Sequence, residues 1–231
     1  MKTLSSTQRD LDRQQAADWA NSLLQGRFLI VDVETTGFGD AEICELAVID
    51  QTGRTLISTL IKPAIAIPKE ATDIHGITDR DVVNAPTFAE IHPMLFRWTL
   101  DENLCAYSLD FDLRMLRQSC DLAALPRLHP VAAACAMRWY AQWFGDWQDG
   151  LSRYRWQSLA KGDHTALGDC RATLALIQRM AESCQPGLAL VDEVELPISF
   201  EAGNPHSPAA GNPFVKPPIA SSPPNVSGFV F

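Results

Sequence analysis

Residues 28–37 read FLIVDVETTG, and the rest of the chain is interpreted around this stretch. An apolar run rich in β-branched residues predicts a buried strand. Alternation of side chains places four residues on one face of that strand: Phe28, Ile30, Asp32 and Glu34. Two adjacent carboxylates at a buried strand end repel each other and lose hydration, which a bound divalent cation would offset. The stretch alone fits two solvated acids at an exposed strand end equally well.

The chain has 231 residues, a hydrophobic content of 46% and a formal net charge of −9. This length fits one domain with an appendage. The acidic balance argues against a broad basic surface that coats duplex nucleic acid, although a metal site and a few local cations can still hold phosphates. The first residues lack the apolar core of a signal peptide, and no apolar run has the length of a membrane span. We therefore expect a soluble, cytoplasmic protein with no membrane partner.

The six cysteines form no CxxC pair, and most lie inside apolar runs. This pattern favours buried, reduced thiols over disulfides or a zinc site. The sequence has no GxSxG motif, no P-loop and no GxGxxG motif, so a serine hydrolase and the common nucleotide-binding folds have little support.

Hydrophobic periodicity and turn residues predict an α/β sheet of mixed direction, with an antiparallel three-strand meander followed by strands that alternate with helices. The capping-box pattern of Thr87 and Glu90 marks one helix start. The predicted strands are 28–37, 42–50, 54–61, 103–107 and 131–134, and the predicted helices are 7–24, 67–77, 87–98, 110–119, a segment ending near 144, 155–160 and 164–182.

The composition changes after Gln185, because nine of the fifteen prolines lie beyond it among Gly, Ser and Asn. Residues 188–199 can still add an irregular strand against the domain, and residues 201–231 are expected to be a disordered tail. A solvated extension and a docking peptide for a partner both remain open for this tail. The predicted organisation is an N-terminal helix at 1–25 packed on the domain, a catalytic domain at 26–185 and a proline-rich, largely disordered tail at 186–231.

Two further acidic positions stand out. Asp112 lies in the predicted first turn of a helix capped by Ser108, where an acid usually serves as a cap or a dipole partner, and Asp110 competes with it as a ligand. Asp169 lies beside the apolar face of the last helix, and His164 precedes that helix. Taken alone, these two are a solvated Asp and a surface His.

Other candidates are weaker. His75 lies in an apolar context, so a structural role and a place in a substrate pocket are both open. Trp139, Trp143 and Trp147 recur every four residues, which predicts a buried helix stripe rather than a base-stacking surface. Several Arg and Lys residues near the acidic motifs are solvated by default.

Three stretches together resemble the DEDDh family of 3′–5′ exonucleases. Residues 32–37 read DVETTG, residues 107–112 read YSLDFD, and residues 164–169 read HTALGD with the family's His-x4-Asp spacing. Residues 44–50, CELAVID, and 68–78, PKEATDIHGIT, are also similar to family segments. The resemblance covers roughly residues 26–182, and three motifs in the correct order are highly specific.

The resemblance implies a ribonuclease H-like fold and hydrolysis with two Mg²⁺ or Mn²⁺ ions. The implied metal ligands are Asp32, Glu34, Asp112 and Asp169, with Asp32 shared between the ions. His164 is implied as the general base, a role that suits imidazole because it titrates close to neutral pH. The implied activity is 3′–5′ exonucleolytic release of nucleoside 5′-monophosphates from single-stranded ends. DNA is the substrate that we expect.

The same resemblance implies that Thr35, Thr36, His75 and Ser108 bind substrate. The family usually has Asn where Ser108 stands, and Ser donates only one hydrogen bond, so substrate positioning there is expected to differ. The segment before His164 is short for the family. Three alternatives stay open: a proofreading subunit tethered to a polymerase by the tail, an exoribonuclease, and a nucleic-acid-binding module without catalysis.

Overall fold

The computed structural model describes residues 4–183. Five strands form one sheet in the order β3-β2-β1-β4-β5. The strands are β1 Phe28–Thr35, β2 Ile43–Asp50, β3 Thr55–Leu60, β4 Asn103–Ala106 and β5 Ala133–Cys135. β1, β2 and β3 pair antiparallel, whereas β4 pairs parallel with β1 and with β5. The predicted mixed sheet, a meander followed by parallel strands, is confirmed.

Seven helices and a short hairpin complete the described part of the chain. The helices are α1 Ser6–Gln25, α2 Lys69–His75, α3 Asp79–Val82, α4 Phe88–Thr99, α5 Leu109–Leu122, α6 Ala136–Phe144 and α7 Ala166–Glu182. The hairpin consists of β6 Trp147–Gln148 and β7 Arg153–Tyr154. The predicted capping box of Thr87 and Glu90 is present at the start of α4.

The alternation of β1 divides the core into two layers. Phe28 and Ile30 pack on the side of the sheet that α1, α6 and α7 cover. Leu29, Val31 and Val33 pack on the other side, against residues of α4 and α5. Asp32 and Glu34 continue the first set, so they lie on the α7 side at the end of β1.

Helix α1 packs against α6 and α7, and the rings of Trp19 and Trp139 stack with centroids 5.1 Å apart. Arg13 Nε donates to the carbonyl of Trp143 at 2.9 Å, at the C-terminal end of α6. Whether the chain divides at residues 25 and 185 stays a prediction, and the expectations for residues 186–231 lie outside the described residues.

Two local predictions are wrong. Residues 155–160 form no helix. The Tyr107 hydroxyl donates to the carbonyl of Gln157 at 2.6 Å, so this carbonyl makes a tertiary contact, which overrides the local helix propensity. Trp147 is not part of the helix stripe, because Gly145 ends α6 in the left-handed conformation and Trp147 lies in β6. Strand β5 also lies two residues later at its start than predicted.

The described cysteines, five of the six in the chain, are buried free thiols, and Cys184 lies beyond the described residues. Among the helices that the structure describes, none combines the length and the apolarity that crossing a membrane requires.

Candidate active site

The end of β1 carries two carboxylates next to a break in strand pairing. Asp32 pairs with Ala47 and Glu34 with Glu45, and the register with β2 shifts between Glu34 and Thr35. Burial is the main cause that raises the pKa of Asp32 well above its ordinary value, and repulsion from Asp112 and other nearby acids adds to it. Near neutral pH, a carboxyl group in this environment ionises only when a positive charge compensates it.

Glu34 is half-buried and shares this environment. Its burial, followed by the negative charges of Asp169 and Glu45, raises its pKa from 4.5 to about 8. Perturbed carboxylates that face one another in this way are typical of functional sites.

Asp112 reaches the same edge of the sheet from the other core layer. Because β4 runs parallel to β1, helix α5, which follows β4, begins at the end of the sheet where β1 ends. Asp112 is only 2% exposed, and burial raises its pKa to about 8, although hydrogen bonds from the backbone N–H groups of Val33 and Asp112 oppose the shift. Asp110 instead is exposed and forms an ion pair with Arg138, which resolves the competition in favour of Asp112 as the residue at the site.

The first turn of α7 and the loop before it supply the remaining groups. Glu34, His164 and Asp169 each offer one ligand atom, and these three atoms lie within 4.8 Å of one another. Burial raises the pKa of Asp169, while hydrogen bonds from backbone N–H groups and the charge of His164 oppose this. The structure therefore brings together all five residues that the sequence motifs indicated.

The loop before α7 holds His164 in an unusual backbone conformation. His164 has a φ of 57°, in the left-handed region that few non-glycine residues adopt. Asp163 Oδ1 accepts hydrogen bonds from the backbone N–H and the hydroxyl of Thr165, at 3.1 and 2.7 Å. The Thr165 hydroxyl in turn accepts from the N–H of Gly168 at 3.1 Å, so the loop is fixed directly to the first turn of the helix.

These residues fit divalent cations. Four carboxylates supply hard oxygen ligands of the kind that Mg²⁺ and Mn²⁺ prefer, and imidazole is a further donor at the exposed side. The raised pKa values of Asp32, Glu34, Asp112 and Asp169 share burial as their largest cause. A bound cation removes that penalty by stabilising the ionised forms.

The four residues expected to bind substrate surround this edge, and three of them have internal contacts. The Thr35 hydroxyl donates to the carbonyl of Gly37 at 2.6 Å, and the Thr36 hydroxyl accepts from the N–H of Glu42 at 2.9 Å. His75 Nδ1 accepts from the N–H of Ile77 at 3.0 Å, so its Nε2–H donates to the carbonyl of Thr35 at 3.2 Å. His75 thus supports the end of β1.

Ser108 occupies the N-cap position of α5. Its side chain makes no capping hydrogen bond with the helix, contrary to the predicted cap. The hydroxyl therefore remains available at the edge where Asp112 lies.

Sequence reasoning missed one aromatic group beside the site. Phe38 is 73% exposed between two glycines, and its ring lies 5.9 Å from that of Phe111, the residue before Asp112. Arg114 Nη1 donates to the carbonyl of Phe38 at 2.7 Å, and the guanidinium lies 5.4 Å from the Phe111 ring. The available signal was an aromatic residue in a Gly-flanked loop directly after the ETTG motif.

The chain has the sheet order and the site of a nuclease of the DEDDh type. Four carboxylates and one histidine cluster where β1 ends: Asp32, Glu34, Asp112, Asp169 and His164. The RNase_T family model, described as "Exonuclease", matches residues 29–177. The chain belongs to this exonuclease family.

Known proteins agree with this assignment. Uncharacterized exonuclease CP81 of Escherichia phage 186 is 36% identical over 73% of this chain and 93% of its own length. DNA polymerase III subunit epsilon of Aquifex aeolicus (strain VF5) is 24% identical over 70% of this chain and 84% of its own length. The solved structure of Exonuclease X in complex with 5′-overhanging duplex DNA is 25% identical, with a TM-score of 0.50, and the match covers 68% of this chain and 92% of that one. Three other relatives are longer proteins, of which this chain spans between 13% and 30%.

Proposed function

We propose that this protein is a metal-dependent 3′–5′ exonuclease that hydrolyses nucleic acid, preferably DNA, to nucleoside 5′-monophosphates. The observation that carries the proposal is the approach of ligand atoms of Glu34, His164 and Asp169 within 4.8 Å, next to the half-buried Asp32 and the buried Asp112. The exonuclease family uses divalent metal ions, and the donor set here suits two Mg²⁺ or Mn²⁺ ions.

Each of the five side chains has a proposed role. Asp32 would hold both ions, Glu34 and Asp169 would serve the side of the attacking water, and Asp112 would serve the side of the leaving oxygen. Two bound divalent ions would stabilise charge on both the attacking and the leaving oxygen of the phosphodiester.

His164 accepts the proton from the attacking water as general base. It is exposed and lies at the entrance of α7, where water and a phosphodiester can approach it. An imidazole nitrogen lies within 4.8 Å of carboxylate oxygens of Glu34 and Asp169. The proton acceptor is therefore next to the two residues proposed to serve the attacking water.

The 3′ end is proposed to meet the backbone and side chains of Thr35 and Thr36, with Ser108 at the opposite side of the edge. His75 acts on substrate through Thr35, whose carbonyl it holds. The exposed Phe38 ring offers a face on which a terminal base can stack, a contact that every base can make.

One observation supports DNA as the substrate, and another supports a polymerase-associated role as the second candidate function. Exonuclease X was solved with 5′-overhanging duplex DNA, and the epsilon subunit is by name part of DNA polymerase III. A proofreading subunit tethered through residues 201–231 would copurify with a polymerase, and deletion of these residues would abolish the association. Equal recovery of polymerase with the truncated chain would refute the tether.

A panel of end-labelled substrates tests the proposal. Single-stranded DNA, duplex DNA with matched and mismatched 3′ ends, and RNA are each digested with Mg²⁺ or Mn²⁺. We expect stepwise release from the 3′ end, fastest on single-stranded or mismatched DNA. Faster digestion of RNA would favour the exoribonuclease alternative, and metal-dependent turnover of any substrate would dismiss a purely binding module.

A further inference from the structure

A fifth carboxylate lies at the same edge of the sheet, outside the five motif residues. Glu45 is in β2, directly opposite Glu34 in the antiparallel pair. Its Oε2 atom accepts a hydrogen bond from the backbone N–H of Ala166 at 2.9 Å. Ala166 is fully buried and is the first residue of α7, so this contact joins the central sheet to the start of that helix.

The first N–H groups of a helix have no partner within the helix. At the start of α7, the Thr165 hydroxyl accepts a hydrogen bond from the N–H of Gly168, and the Thr165 carbonyl accepts one from the N–H of Asp169. Glu45 supplies the acceptor for the N–H of Ala166. A carboxylate is also a favourable group at this position, because the helix N-terminus carries partial positive charge.

The hydrogen bond between Glu45 and Ala166 connects the two parts of the chain that carry Glu34, His164 and Asp169. Glu34 belongs to the sheet, whereas His164 and Asp169 belong to the entrance and first turn of α7. Glu45 is the neighbour of Glu34 on the adjacent strand and holds the residue two positions after His164. A loss of this hydrogen bond frees the helix start to move relative to Glu34.

We infer that Glu45 is a positioning residue: it anchors the N-terminus of α7 to β2 so that Asp169 and His164 stay within reach of Glu34. The catalytic consequence rests on the proposed function. The anchoring itself does not, and it can be measured without turnover.

Three substitutions at this position separate the anchor from charge and from bulk. Glu45→Ala and Glu45→Met both remove the acceptor, and Met keeps the side-chain volume, which covers the case that the Ala variant does not fold. Glu45→Gln keeps an acceptor oxygen and removes the charge. Asp50→Ala is the matched control, because Asp50 is at the other end of β2, where its carboxylate accepts hydrogen bonds within the β2–β3 turn.

Amide hydrogen exchange of a peptide spanning residues 164–170 is measured together with kcat and KM on a 3′-labelled oligonucleotide. For Glu45→Ala and Glu45→Met we expect about tenfold faster exchange in this peptide, as for loss of one hydrogen bond. We expect kcat to fall about 10- to 100-fold with KM nearly unchanged, because misplaced catalytic groups reduce turnover. Glu45→Gln and Asp50→Ala should retain wild-type exchange in this peptide and wild-type kcat.

Unchanged exchange in both acceptor-less variants would overturn the inference. A Glu45→Gln variant as impaired as the acceptor-less variants would also overturn it, since the charge rather than the anchor would then be required. An inactive wild-type protein would refute the proposed function, and the exchange measurement would still decide whether Glu45 anchors α7.

Discussion

Asp169 Oδ1 accepts a hydrogen bond from the backbone N–H of Asp163 at 3.0 Å. The contact closes the loop that holds His164 in the left-handed conformation, so a proposed metal ligand also fixes the backbone beside the proposed general base. Strained backbone of this kind persists only where surrounding contacts over-determine it, and it is frequent at functional sites.

Replacement of Gly162 by Ala should impair turnover through this loop. A Cβ atom at Gly162 would lie 2.8 Å from Asp169 Oδ1, which requires the carboxylate or the loop to shift. We expect kcat to fall about 10- to 100-fold, because a displacement of about 1 Å in a catalytic group has this order of effect.

The matched control is Gly150→Ala, since a Cβ there meets no atom within 4 Å. We expect it to keep wild-type kcat in the same oligonucleotide assay. Equal kcat for Gly162→Ala and the wild-type protein would show that Asp169 does not need its observed position.

Replacement of Phe38 by Ala should weaken substrate binding. The ring is 73% exposed beside Phe111, and loss of one stacked base costs about 1–3 kcal/mol, so KM should rise about 5- to 150-fold while kcat changes little. Steady-state kinetics on single-stranded DNA measure both constants.

Phe144→Ala is the control for this experiment, because Phe144 is 47% exposed at the end of α6 and contacts Tyr140 rather than the site. An unchanged KM in Phe38→Ala, or an equal rise in both variants, would contradict a stacking role.

The stability of the metal-free protein should depend on pH in an unusual direction. The pKa of Glu34 rises from 4.5 to about 8 on folding, so the folded protein binds more protons than the unfolded chain between these values. The free energy of unfolding should therefore fall as pH increases from about 4.5 to about 8 and level off above this range. Asp112, with its pKa raised to about 8, acts in the same direction.

Mg²⁺ should reverse this loss, since it binds the ionised carboxylates and stabilises the folded state by mass action. Melting temperatures with EDTA and with Mg²⁺ across this pH range measure the effect, and the gain from Mg²⁺ should be largest at the alkaline end. Glu34→Gln should reduce both the pH dependence and the gain. A gain that is equal at all pH values would argue against these carboxylates as the metal site.

The residues of the candidate site could be predicted because three motifs in the correct order resemble the DEDDh family, whereas the local pattern alone gave Asp112, His164 and Asp169 ordinary roles. Alternation along β1 fixes the common face of Asp32 and Glu34, and a helix that follows a strand parallel to β1 begins at the same edge, which places Asp112 there. Of the two acids in that turn, burial distinguishes Asp112 from Asp110, and burial depends on the packing of the whole helix.

The missed features depend on contacts between distant segments. Residues 155–160 form no helix, since Gln157 is held by Tyr107, and no local pattern reveals this contact. The same holds for the bond between Glu45 and Ala166, which are 121 positions apart. The left-handed conformation of His164 follows from the loop network around Asp163 and Asp169 rather than from its own residue type.

Replacement of Asp32 by Asn should separate activity from stability. The substitution replaces an acid whose ionisation is opposed by burial and by the neighbouring acids, so the metal-free fold should be as stable as the wild-type fold or more so. Turnover should fall at least about 100-fold, because a proposed shared metal ligand is lost. Circular dichroism and thermal melting check the fold, and a destabilised variant with proportionally lower activity would indicate a structural role for Asp32.

The proposed reaction is metal-dependent hydrolysis from the 3′ end by the carboxylates with His164 as general base. Its most direct test is a single-turnover digestion of a 3′-labelled oligonucleotide with Mg²⁺, comparing the wild-type protein with folded His164→Ala. We predict labelled nucleoside 5′-monophosphate as the first product of the wild-type protein, and a rate about 10²- to 10⁴-fold lower for the variant. An undiminished rate in His164→Ala, or first release from the 5′ end, would contradict the account.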